Sequence, residues 1–84
     1  MEKNENVAFR RLAAGEGGVL LHLESGEYHG INEVGCHIWE LLDGKRTVEG
    51  IAVALQDGIE DAPPDLVDEV IVFLDSLRER DLVQ

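Results

Sequence analysis

Four residues have side chains suited to nucleophilic or metal chemistry: His22, His29, Cys36 and His37. Cys36 and His37 are neighbours, but adjacent residues on a helix point about 100° apart and so make no nucleophile–base pair. Cys36 reads instead as a small apolar filler. His22 and His29 would oppose each other across a tight hairpin, and with Cys36 and His37 they would offer zinc four N/S donors. No C-x-x-C or H-x-x-x-H spacing supports that grouping, so His22 and His29 read as two half-exposed strand histidines with no metal. Acid–base catalysis needs two carboxylates converging in a cleft. Glu60-Asp61 and Asp65-Asp68-Glu69 read as a solvated loop and a charged first helical turn. Gly15-Glu16-Gly17-Gly18 precedes a strand and lacks the lysine of a phosphate loop. The expectation is a chain that is not an enzyme and holds no cofactor.

Composition narrows the remaining functions. The chain has 84 residues, enough for one small domain spanning 1–84. Asp and Glu number 18 against 7 Lys and Arg, giving a net charge of −11. Affinity for nucleic acid comes largely from Lys and Arg displacing counterions from phosphates, so no nucleic-acid partner is expected. Anionic membranes are disfavoured for the same reason. Cys36 alone cannot form an internal disulfide, which fits a reducing cytoplasm. Residues 1–6 are polar, read as flexible, and lack a signal-type apolar run. No apolar stretch is long enough to span a membrane.

The elements that would position a binding site follow from periodicity. Val7 to Leu12 is a short, partly alternating strand. Val19-Leu20-Leu21-His22-Leu23 and Tyr28-His29-Gly30-Ile31 flank Glu24-Ser25-Gly26-Glu27, a hairpin signal. With Ser25 and Gly26 as the loop, Leu23 faces Tyr28, His22 faces His29 and Leu21 faces Gly30. Val19, Leu21, Leu23 and Tyr28 then share one face of the sheet, and Leu20, His22, His29 and Ile31 the other. Asn32 is an N-cap for a helix carrying Val34, Ile38, Trp39, Leu41 and Leu42, stopped by Asp43-Gly44. Thr47 caps a second helix, with Val48, Ile51, Ala52 and Leu55 on one face. After an acidic loop, Gly58 to Pro64, Asp65 with Asp68 caps a third helix from Leu66 to about Arg80. The fold class is α+β: a three-stranded antiparallel sheet followed by three helices, winged helix-turn-helix-like.

The third helix has more apolar residues than one core stripe uses. Leu66, Val70, Phe73, Leu74 and Leu77 make a full face, leaving Val67, Ile71 and Val72 over. They either lie under the Gly58–Pro64 loop or form the wall of a groove. The strand Glu27 to Ile31 would lie at a sheet edge, where free backbone groups accept an added peptide strand.

The run from Val19 to Gly44, with its E-S-G-E-Y turn and I-N-x-x-G-x-x-I-W-x-L-L-x-G, resembles the PqqD-like family of precursor-peptide recognition elements. The T-V-x-x-I-A helix and the stretch Val70 to Val83 match as well, so the resemblance covers about residues 7 to 84. It implies a non-catalytic adaptor that binds the leader of a ribosomal precursor peptide antiparallel to the third strand and against the third helix. The binding residues would be Glu27, Tyr28, His29, Gly30 and Ile31 on the strand. On the helix they would be Val67, Val70, Ile71 and Leu74, with Asp68 and Asp75 meeting leader cations. E-Y-H-G-I-N looks more like the discrete recognition proteins of lasso-peptide clusters, whose partners are a leader peptidase and a cyclase. The alternative is the peptide chaperone of pyrroloquinoline quinone biosynthesis, which works with a radical-SAM enzyme.

Overall fold

The computed structural model describes residues 2–58 and 64–83. Three strands come first, β1 (Val7–Arg11), β2 (Gly18–His22) and β3 (Tyr28–Ile31), and three helices follow, α1 (Glu33–Leu41), α2 (Val48–Gly58) and α3 (Leu66–Glu79). The strands form one antiparallel sheet in the order β1-β2-β3. The α+β architecture is the one expected.

The hairpin register differs from the expected one. Leu21 pairs with Tyr28, Leu20 with His29 and Val19 with Gly30. The loop is Leu23–Gly26, closed by the His22 amide donating to the Glu27 carbonyl at 3.0 Å and the Gly26 amide donating to the His22 carbonyl at 2.8 Å. Side chains support this wider turn. The Ser25 amide donates to His22 Nδ1 at 3.4 Å, and Ser25 Oγ accepts from the Glu27 amide at 3.3 Å. The tighter loop would also have set Glu24 against Glu27. The shift is two residues, so each side chain keeps its face. Leu20 and His22 are buried on the inner face, while Leu23 and Tyr28 are exposed on the outer one.

Asn32 caps α1 as expected: its backbone is extended, and its Oδ1 accepts from the Gly35 amide at 2.8 Å. Thr47 Oγ1 likewise accepts from the Gly50 amide at 3.0 Å at the start of α2. Asp65 does not cap α3 with its side chain. Its φ of −103° and ψ of 34° are not extended, so the carboxylate does not reach back to the first turn. Residues 59–63 of the acidic loop lie outside the described residues.

One core joins the layers. Leu20 from the sheet meets Ile38 and Trp39 of α1, Ile51 and Leu55 of α2, and Leu66, Val70, Leu74 and Leu77 of α3. Gly17 is the tightest joint. At φ +82° it lies where an added Cβ would come within 2.1 Å of the Ile31 carbonyl oxygen, so only glycine lets the entry to β2 cross the β3–α1 corner. The start of the chain, expected to trail freely, is tied down. Lys3 bridges Val83, the Asn4 amide donates to the Leu82 carbonyl at 3.1 Å, and Asn4 Nδ2 donates to the Asp81 carbonyl at 2.7 Å. No described helix is long and apolar enough to cross a membrane.

Candidate functional site

Strand order leaves the outer side of β3 without a partner among the described residues. Hydrogen-bonded and non-bonded pairs alternate along an antiparallel ladder. The bonded His22–Glu27 pair sets the phase, so His29 and Ile31 bond back to β2 while Tyr28 and Gly30 turn their N–H and C=O groups outward. An added strand would meet two donors and two acceptors there.

A trough lies between this edge and α3. Its first part, about 450 Å³, runs along Tyr28–Asn32 and is walled by Phe73, Ser76, Leu77, Arg80 and Leu82. Its second part, about 430 Å³, continues past Asn32 between Val34, Gly35 and Ile38 of α1 and Asp65, Asp68, Glu69 and Val72 of α3. Asn32, Phe73 and Ser76 line both parts, so the two are continuous. Gly35 lets the helices approach here: an added Cβ would come within 2.9 Å of the Phe73 ring.

The rotation of α3 decides which of its residues face the trough. At about 100° per residue, Asp65, Asp68, Val72 and Ser76 form one row, with Phe73 beside it toward the core. The core stripe is Leu66, Val70, Leu74 and Leu77. Val67 and Ile71 stand on the opposite flank of that stripe and do not line the trough. The surplus apolar surface is therefore split: Val72, 68% exposed, belongs to the trough wall, and Val67 and Ile71 belong to a separate exposed flank.

Of the residues singled out from sequence, the structure brings together Tyr28, His29, Gly30, Ile31 and Asp68. Glu27 is exposed just before β3, with a carboxylate oxygen 3.9 Å from His29 Nε2. Val70 and Leu74 are core residues, 0% and 4% exposed, and cannot be reached by a partner without opening the domain. Val67, Ile71 and Asp75 lie outside the trough. Asn32, Val72, Phe73, Ser76 and Arg80 line it without having been singled out.

The other candidate chemistry does not converge. The new register sets His29 opposite Leu20 rather than His22, and His22 Nε2 lies 3.4 Å from Asp81 Oδ2. His37 Nε2 lies 3.9 Å from Glu33 Oε1. Cys36 is fully buried, and burial pushes its thiol above the ordinary value, the reverse of what a nucleophile needs. Among the described residues no three His, Cys, Asp or Glu side chains are placed to hold a metal ion.

Comparison with known proteins gives a family and similar folds. The family described as coenzyme PQQ synthesis protein D (PqqD) matches residues 17–83. No curated protein sequence matches the chain. Among solved structures, TbiB1 in complex with the TbiA(beta) leader peptide is similar at 28% identity and a TM-score of 0.81, over 100% of this chain and 95% of that one. Lasso peptide synthetase B1 complexed with the leader peptide shares the fold at 22% identity and a TM-score of 0.79, over 99% of this chain and 95% of the other.

Proposed function

Because the chain belongs to the PqqD family, we propose that it is a non-catalytic adaptor whose β3 edge takes up the leader segment of a ribosomal precursor peptide. The observation that carries this reading is a strand edge, unpaired among the described residues, that faces a trough with the Tyr28 and Gly30 backbones turned into it. The leader-bound state of TbiB1, 28% identical over the whole chain, supports it. The leader lies antiparallel to β3, with every second side chain entering the trough against Phe73 and Val72. Backbone pairing gives affinity and the trough gives selectivity. Holding the leader raises the effective concentration of the attached core segment near an enzyme, to roughly the mM range for a short tether.

The enzymes served in this reading are the leader peptidase and cyclase of a lasso-peptide pathway, acting in the cytoplasm. The family's own description favours a second reading, a peptide chaperone working with a radical-SAM enzyme in pyrroloquinoline quinone synthesis. Both use the same trough. Amide hydrogen exchange with and without the precursor from the protein's own gene cluster tests the shared mechanism. Tyr28 and Gly30 should gain protection, and unchanged exchange at both would place the peptide elsewhere.

The α3 wall gives a paired test. Val72→Asp puts a carboxylate on the trough side and should weaken leader binding roughly tenfold or more, about 1.4 kcal/mol. Ile71→Asp, one residue away on the other flank, should change binding less than about twofold. Both positions are exposed, so circular dichroism should show both variants folded. A larger loss from Ile71→Asp than from Val72→Asp would move the peptide to the other side of α3.

A further inference from the structure

The trough is unevenly charged along its length. Asp65, Asp68 and Glu69 line the part beside the start of α3, with no Lys or Arg among them. Arg80 lines the part beside the end of α3. Among the described residues, none of the three carboxylates makes an ion pair, and Asp65 makes no capping bond. All seven Lys and Arg residues are described, and none of their side chains compensates this cluster. Among the described residues Arg80 reaches only the Ser76 hydroxyl, itself on the trough wall, and makes no ion pair either. Opposite charges at the two ends of one channel suit an extended ligand of reversed polarity.

The direction of β3 converts this into a sequence order. The acidic part of the trough lies past Asn32, beyond the Ile31 end of the strand, and Arg80 lies in the part that Tyr28–Asn32 lines. A peptide antiparallel to β3 enters at the acidic part and leaves past Tyr28. Asp68 in the first turn of α3 and Arg80 at its C-cap are twelve residues apart, about 18 Å along the helix axis. An extended strand covers that distance in about five residues. Resting on the leader-binding reading above, we propose that the trough selects a charge-polarised leader, with Lys or Arg about five residues N-terminal to Asp or Glu.

The probe is a displayed library of randomised peptides long enough to span the trough, sorted on the full chain. Enriched peptides should carry the cation before the anion at that spacing. Asp68→Lys should weaken them roughly fivefold or more. Exchanging the peptide's cation for Glu should restore binding to Asp68→Lys while weakening it on the parent by a similar factor. Arg80→Glu should do the same at the other end. Peptides that protect the Tyr28 and Gly30 amides but carry the opposite order, or no charge preference, would overturn the polarity and leave the groove standing. Peptides that bind without protecting those amides would overturn both.

Discussion

Gly30→Pro should leave the domain folded and remove leader binding. Gly30 does not need glycine for the fold: its φ is not in the left-handed region, and an added Cβ would meet nothing within 4 Å. It sits opposite Val19 in a non-bonded pair, so its N–H is not used by β2. Proline on an edge strand, with its missing donor facing outward, costs the sheet little. The residue before it, His29, is already extended, as proline requires. The incoming peptide loses one hydrogen bond, roughly 0.5–1.5 kcal/mol, and also meets the ring where its own backbone should lie. Together these should weaken binding by roughly thirtyfold or more. Gly30→Ala, which keeps the N–H, should bind within about threefold of the parent. Calorimetric titration of the leader into each variant, with circular dichroism as the folding control, separates the two. Normal binding by Gly30→Pro would mean that the β3 edge is not the line of contact.

The second large effect is on the fold that holds the trough open. Trp39 is 3% exposed beneath the sheet. Its ring lies 6.4 Å from that of Phe9 on β1, tilted by 42°, and the Lys3 ammonium stands 5.3 Å from its centroid. It therefore ties α1 to the sheet and to the start of the chain. Trp39→Ala should cost about 3–5 kcal/mol through lost burial and the cavity left behind. A domain this small has a thin core and a stability of about 5 kcal/mol or a little more, close to the size of that loss. The thermal midpoint should fall by roughly 15–30 °C, read by circular dichroism. A fall of less than about 5 °C would mean that the sheet and α1 hold together without this residue.

The sequence made some features of this site plain and hid others. Strand and helix positions followed from alternation, Asn32, Thr47 and the spacing of apolar residues, and all six elements stand where these put them. Sheet faces were legible for a robust reason: moving the hairpin register by two residues keeps the parity of every side chain. The register itself was not legible. It depends on His22 and Ser25 satisfying the backbone of a four-residue loop, which Ser-Gly at its centre does not reveal. The helical wall was hidden more deeply. Val67 and Ile71 on one flank of the α3 stripe and Val72 on the other are equally apolar, and periodicity locates a stripe without saying which side of it faces β3. That choice comes from how α1 and α2 seat α3 against the sheet.

The sole cysteine offers a use of its own. Cys36 is sealed in the interior, with 0% exposure and burial raising its thiol. Alkylating reagents attack only the accessible thiolate, so modification has to wait for the domain to open. Where opening and closing are fast relative to attack, the modification rate reports the population of the open form. A ligand that binds only the closed form lowers that population by mass action. One unaltered atom thus serves as an internal gauge of both conformational stability and occupancy of the trough.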